Sequence, residues 1–163
     1  RGAVALVNLC SATPTAPWLA TGRLGEAQLT RLETVLRQLR QEGLFRVLTI
    51  HHPPTPGVVS KRKSLEDAPA LRALLQTEGA ELILHGHAHE AEVSALPGPG
   101  GAIAVLGVPS ASAVGHGKHP PARWHGIEID PGAKKIRVVA RGLSPQTGTF
   151  EPLGSYVLDA AQG

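Results

Sequence analysis

The spacing of apolar positions predicts a strand followed by a helix at the start of the chain. Residues 3–9 form a short, β-rich apolar run. Between residues 26 and 40, apolar side chains recur every three or four positions, at Leu29, Leu32, Val35, Leu36 and Leu39. This period is typical of a helix with one buried face. Gly43 then stands where the C-terminal glycine of such a helix belongs.

The same alternation continues through residue 84. Residues 46–50 have the pattern of a buried strand, and residues 64–67 have the Ser-x-x-Asp form of a helix capping box. A second helix carries three leucines, at Leu71, Leu74 and Leu75. It stops near Gly79, and residues 81–84 form the next strand. This β-α-β-α-β order predicts an α/β fold with a parallel sheet and right-handed crossovers.

The pattern changes after the glycine-rich segment 97–101. Residues 102–108, 126–129 and 134–140 have the pattern of short strands separated by turns. We expect these strands to be antiparallel and to flank or extend the first sheet, which gives a mixed α+β character overall. The tail from Gly142 onward predicts no element.

Composition places the chain among soluble globular proteins of one domain. It has 163 residues, of which 42% are hydrophobic and 18% charged. No apolar run approaches the roughly 20 residues of a membrane-spanning helix, and no signal peptide stands at the start. A single cysteine excludes an internal disulfide, so we expect a cytoplasmic protein. The chain contains no methionine, which predicts that it is a fragment or a processed product.

The charge distribution does not predict a nucleic-acid partner. The net charge is +3, and the basic residues are scattered except at residues 61–63. Aromatic residues make up only 3% of the chain, whereas single-strand binding needs stacking side chains. The basic run is either a solvated loop before a helix or a feature that attracts phosphate.

Two histidine segments follow neighbouring strands of the predicted sheet. His51 and His52 come directly after the second strand, and the segment 86–89 (Gly-His-Ala-His) comes after the third. Open α/β sheets bind ligands at the carboxyl ends of their strands. If the second segment is extended, His87 and His89 point to the same side, about 6–7 Å apart at Cα. They would then suit a pair of metals about 3.5–4 Å apart.

These two motifs resemble the last two motifs of the calcineurin-like metallophosphoesterases. The bacterial branch of cyclic-nucleotide and glycerophosphodiester phosphodiesterases is the most similar. The segments 22–29 and 108–112 are also similar to that branch. The resemblance extends over roughly residues 3–130.

The resemblance implies a role for each histidine of the two motifs. His51 and His87 would bind one metal, and His89 would bind the other. His52 would be a substrate-binding neighbour of the site, and His85 a strand-end residue with a backbone partner. The cofactors would be two divalent or trivalent ions of manganese, iron or zinc, and the reaction would be hydrolysis of a phosphomonoester or phosphodiester.

The family's upstream motifs are absent from this sequence. These are Asp-x-His, Gly-Asp and Gly-Asn-His-Asp/Glu, whereas Asn8 is the only asparagine here. The resemblance therefore implies that residues 1–163 are the C-terminal half of a four-layer αββα sandwich and are inactive alone. The apolar strands would then expose one face. We expect that face to bind the missing N-terminal half or a second copy of the chain.

Two other functions stay open at this point. The first is a non-catalytic module that holds one structural metal through His51, His87 and His89. Closed zinc sites prefer four ligands, usually with thiolates, and a chain with one cysteine fits that poorly. The second is an interaction domain without metal. Three further histidines, His116, His119 and His125, are expected in a surface loop rather than along a substrate mouth.

Overall fold

The computed structural model describes residues 2–115 and 120–161. The first half alternates strands and helices: β1 (Val4–Leu9), α1 (Glu26–Gln41), β2 (Phe45–Ile50), α2 (Ala68–Glu78) and β3 (Leu82–His85). A 3-10 turn at Lys61–Lys63 precedes α2. The second half consists of strands: β4 (Glu92–Gly98), β5 (Gly101–Gly107), β6 (Arg123–Asp130), β7 (Lys135–Leu143) and β8 (Phe150–Asp159).

These strands form two sheets. The first sheet has the order β1-β2-β3-β5-β4, in which β4 alone runs antiparallel to its neighbour. The second is an antiparallel sheet of order β6-β7-β8. The predicted α/β class is therefore confirmed. The expectation that residues 102–108 form an antiparallel strand is wrong with respect to β3, because β5 extends the first sheet and runs parallel to β3, and it is antiparallel only to β4.

The core lies on both faces of the first sheet. On one face, Leu32 and Leu36 of α1 pack with Leu71 and Leu75 of α2 against the sheet. On the other face, the first sheet packs against β7 of the second sheet. The first sheet contributes Phe45, Val47, Leu82 and Leu106, and β7 contributes Ile136 and Val138. The described residues thus supply three layers of the expected four-layer αββα sandwich, namely one helical layer and two sheets.

The prediction that one face of the apolar strands is exposed is wrong for β2 and β3. The inner side chains Val47 and Leu82 are buried because the second sheet of the same chain covers them. The expectation survives only at β1, where Leu6 is 69% exposed. No helix in the described part of the chain is long and apolar enough to cross a membrane.

A buried ion pair joins the amino ends of β2 and β3. The guanidinium of Arg46 donates to Glu81 through Nη2–Oε1 at 2.8 Å and Nε–Oε2 at 3.1 Å. Its Nη1 also donates to the carbonyl of Glu78 at 2.8 Å, which anchors the end of α2. Both side chains of the pair are about 1% exposed, so the two charges compensate each other away from water.

The predicted capping box at residues 64–67 is wrong. Ser64 Oγ donates instead to the carbonyl of Lys61. The carboxylate of Asp67 accepts from the backbone N–H groups of Leu24 and Gly25, just ahead of α1. Asp67 therefore binds the segment before the other helix rather than capping α2 with its side chain.

Candidate functional site

The two histidine segments meet at the carboxyl edge of the first sheet. β2 and β3 are parallel neighbours, and their last residues, Ile50 and His85, are register partners. The backbone N–H of Gly86 donates to the carbonyl of His51 at 3.2 Å, which holds the two segments together. As a result, His51 Nε2 and His87 Nδ1 lie 3.0 Å apart and share a hydrogen bond.

His52 completes a group of three imidazoles. Ring nitrogens of His51, His52 and His87 lie within 4.8 Å of one another. His52 is buried, and both of its ring nitrogens have protein partners. Nδ1 lies 2.8 Å from Ser11 Oγ, and Nε2 lies 3.2 Å from the carbonyl oxygen of Ala20. Both nitrogens are thus engaged by the protein in this structure, and the substrate-binding role expected for His52 stays a prediction.

His89 is exposed and lies outside this group. The extended geometry expected for the segment 86–89 is wrong, because His87 and His89 adopt left-handed φ angles of 65° and 58°. Such angles cost an ordinary residue about 1–2 kcal/mol, and strain of this kind clusters at functional sites. The turn aims His87 at His51, and the assignment of His87 and His89 to two different metals stays a prediction.

The site keeps His87 neutral. Burial, followed by the charges of His52, His51 and Lys63, lowers the pKa of His87 to about 4. Burial also lowers the pKa of His52. A neutral imidazole has the lone pair that a metal needs. Lys63, in the basic 3-10 turn, contributes to this shift through its charge.

The donor set fits one transition-metal ion. Two nitrogens on one tetrahedral zinc lie about 3.4 Å apart, given Zn–N bonds of about 2.0–2.1 Å. The 3.0 Å between His51 Nε2 and His87 Nδ1 is close to that value. The other ring nitrogen of His87, Nε2, is not part of this pair and is buried without a hydrogen-bond partner in the described residues. Within those residues, the group contains imidazoles and no carboxylate that would bridge two ions.

The remaining histidines take other positions. The prediction for His85 is confirmed: its Nδ1 donates to the carbonyl of Gly86 at 3.1 Å. Its Nε2 lies 3.6 Å from the Glu92 carboxylate, and its side chain is fully buried. The prediction that His125 lies in a surface loop is wrong, because His125 is half-buried in β6. His116 and His119 lie outside the described residues.

Ser11, Ala20 and Gly22 belong to the site and were not predicted as site residues. Ser11 and Ala20 contact His52 from more than 30 positions away in the sequence, so no local pattern indicates them. Gly22 lies in a segment that resembles the family, which was the only indication of its importance.

Comparison with known proteins gives one sequence relative. The chain is 31% identical over 124 residues to a protein named "Probable cyclic nucleotide phosphodiesterase" from Synechococcus sp. (strain WH7803). The match covers 74% of this chain and 46% of that protein, so the chain spans about half the length of the curated relative it matches. No protein-family model matches the chain.

Two solved structures are distantly similar to this chain. A double mutant of Vps29 from Entamoeba histolytica matches with a TM-score of 0.42 and 14% identity, over 94% of this chain and 97% of that one. A single mutant of the same protein matches with a TM-score of 0.40 and 10% identity, over 94% and 99%. At these scores the likeness carries no functional argument.

Proposed function

We propose that this chain is part of a metal-dependent phosphoesterase of the calcineurin-like metallophosphoesterase kind, acting on a phosphomonoester or phosphodiester. The observation that carries the proposal is the approach of His51 and His87 to 3.0 Å from the ends of two parallel strands. The name of the Synechococcus relative, a probable cyclic nucleotide phosphodiesterase, supports the same chemistry.

In this proposal the histidines divide between two cations. His51 and His87 hold one cation, and His89 contributes to the second. When bound, the cations supply Lewis-acid polarisation of the phosphate and a hydroxide of lowered pKa. The low pKa of His87 keeps its ring unprotonated at neutral pH. Lys63, whose charge acts on His87, favours the arrival of an anionic substrate.

We extend the proposal to a longer protein that would contain this chain. We propose that it is cytoplasmic and that its upstream part supplies the bridging carboxylate and the asparagine ligand. The metals are manganese, iron or zinc. Without those ligands the present chain holds a cation weakly and does not turn over substrate.

Metal binding tests the site directly. Purified chain would be dialysed with zinc and its metal content measured by elemental analysis. Wild type should retain zinc, and His87→Ala should lose most of it because one of the two facing nitrogens is gone. His125→Ala is the matched control, since His125 lies in the second sheet, and it should retain zinc. Equal zinc content in wild type and His87→Ala would refute the proposed site.

A hydrolysis assay tests whether this chain alone lacks part of the active site. With manganese and a generic aryl phosphodiester, this chain should show no turnover. A longer protein that contains the upstream motifs should be active. Robust turnover by the present chain would show that those motifs are dispensable.

A second function is favoured by one observation. The group of three contains imidazoles and no carboxylate in the described residues, which also suits a non-catalytic module with a structural metal. In that case His51 and His87 would hold one ion, with His89, which lies outside the group of three, as the third ligand that the sequence predicts. A longer protein that binds zinc but never hydrolyses phosphoesters would support this alternative.

A further inference from the structure

We infer that Ser11 is a positioning residue of the histidine site. It holds the His52 ring in one orientation through a hydrogen bond to Nδ1, and His52 in turn holds the rings of His51 and His87 without binding metal itself. The inference rests on the proposed function for the part that concerns metal.

The hydrogen bonds of His52 fix its tautomer. The carbonyl oxygen of Ala20 accepts and never donates, so the Nε2 atom facing it carries the hydrogen. In the neutral ring, Nδ1 is then the acceptor, and the hydroxyl of Ser11 donates to it at 2.8 Å. The Ala20 carbonyl thus selects this tautomer, and the Ser11 hydroxyl donates to the remaining nitrogen and fixes the orientation of the ring.

The ring is also enclosed by its surroundings. Ser11 is 1% exposed and His52 is 5% exposed. The ring lies directly on the backbone of Gly22, where an added Cβ would be 2.2 Å from His52 Nδ1 and 2.6 Å from the Ser11 carbonyl oxygen. Gly22 therefore provides the space that the ring occupies.

The segment that holds His52 is itself held in place. Arg23 N–H donates to the carbonyl of Ser11 at 3.0 Å. Ala20 and Gly22 donate through their N–H groups to the carbonyls of Arg62 and Ser64, at 2.8 and 3.1 Å. Both partners of His52 thus belong to a stretch tied to the residues before α2, which makes them a rigid support.

His52 transmits this support to the other two rings. Its ring centroid lies 4.4 Å from that of His87 and 5.0 Å from that of His51. It therefore packs against both rings whose nitrogens face each other. Groups hydrogen-bonded to a metal ligand commonly change metal affinity about 10–100-fold when they are removed. His52 supports the two rings by packing alone, so we expect an effect at the lower end of that range.

The test combines zinc titration with nitrogen-15 NMR of the imidazole rings in the complete chain. Wild type would be compared with Ser11→Ala, which deletes only the hydroxyl. Ser155→Ala is the matched control, because Ser155 is exposed in β8. Spectra would be recorded before and after the addition of zinc.

The expected result has two parts. His52 should show a single Nε2–H tautomer with and without zinc, while the nitrogens of His51 and His87 shift on binding. Ser11→Ala should give a mobile His52 ring and weaken zinc binding about tenfold, and Ser155→Ala should do neither. Zinc-induced shifts of the His52 nitrogens, or unchanged affinity in Ser11→Ala, would overturn the inference.

A failure of the proposed function is distinguishable from a failure of this inference. If wild type binds no zinc, the proposed metal site is wrong, and the role of Ser11 is decided by the zinc-free spectra. A His52 ring that is ordered in wild type and mobile in Ser11→Ala would support it. A His52 spectrum that is the same in both proteins would contradict it.

Discussion

Backbone conformation separates the two histidines of the Gly-His-Ala-His segment. Left-handed φ angles at His87 and His89 turn the first ring toward His51 and leave the second exposed. A sequence shows which residue types follow a strand, and it therefore indicated His51 and His87. It does not show that the chain leaves the extended conformation after Gly86, because that turn depends on contacts such as Gly86 N–H to the carbonyl of His51.

The low pKa of His87 predicts a loss of stability in acid. The folded pKa is about 4 and the ordinary value is 6.5, so the stabilising contribution is complete above pH 6.5 and is lost as pH falls toward 4. In this interval the unfolded chain binds a proton that the folded chain does not. The contribution is roughly 3 kcal/mol at most.

Urea unfolding in EDTA at pH 7 and pH 4.5 measures this effect. His87→Ala should show a smaller difference in unfolding free energy between the two pH values than wild type does. His89→Ala, which removes an exposed imidazole outside the group, should keep the wild-type difference. An identical pH dependence in wild type and His87→Ala would contradict the prediction.

Gly22 should tolerate no side chain. In Gly22→Ala, the new Cβ would overlap both the His52 ring and the backbone oxygen of Ser11, and backbone moves less easily than a side chain tip. We expect a loss of about 1–3 kcal/mol of unfolding free energy, together with weaker zinc binding. Gly132→Ala is the control, since its Cβ would meet its nearest neighbour at an ordinary 3.5 Å. Equal thermal melting of the two variants would show that the ring is not confined.

The spacing of apolar residues predicted the helices and strands that bury one side along their whole length, and it missed β4 and β8. α1 and α2 were predicted because their leucines recur at helical spacing against the sheet. β8 was missed because it is exposed over most of its length and contains Pro152 and Gly154, which are unfavourable in strands. β4, an edge strand, buries only Leu96. Such strands are specified by their partners, β7 and β5, more than by their own sequence.

The buried pair Arg46–Glu81 should contribute strongly to the free energy of unfolding, because it joins separate elements of the fold. It links β2 to β3, and Arg46 also donates to the end of α2. Arg46→Met would leave Glu81 buried without its countercharge, which typically costs about 3–5 kcal/mol. The double variant Arg46→Met/Glu81→Met should recover part of this loss because no charge stays buried.

An exposed pair provides the matched control. Arg137 and Glu128 join β7 to β6 at 3.0 Å, with side chains 51% and 65% exposed. Arg137→Met should therefore cost no more than about 1 kcal/mol. Chemical denaturation of the three variants would compare them, and equal losses at the buried and exposed sites would contradict the role given to burial.

For the protein as a whole, the sequence predicted an uncovered sheet face and the structure restricts it to β1. Sequence could not show that the antiparallel strands cover β2 and β3, because the packing of Ile136 and Val138 on Val47 and Leu82 joins segments more than 50 residues apart. β1 lies at the edge of the first sheet with β2 as its partner. Leu6 remains exposed there.

The edge at β1 should make the isolated chain associate. Its outer side pairs with no strand among residues 2–115 and 120–161, and unpaired N–H and C=O groups beside an exposed leucine are a template for another strand. We expect a concentration-dependent dimer in light scattering coupled to size exclusion. Leu6→Lys should shift it to monomer because a charge at an edge strand opposes pairing. Leu153→Lys, at a 52% exposed leucine of β8, should leave the dimer intact. A wild-type chain that stays monomeric at every concentration, or a dimer that both variants disrupt equally, would contradict association through β1.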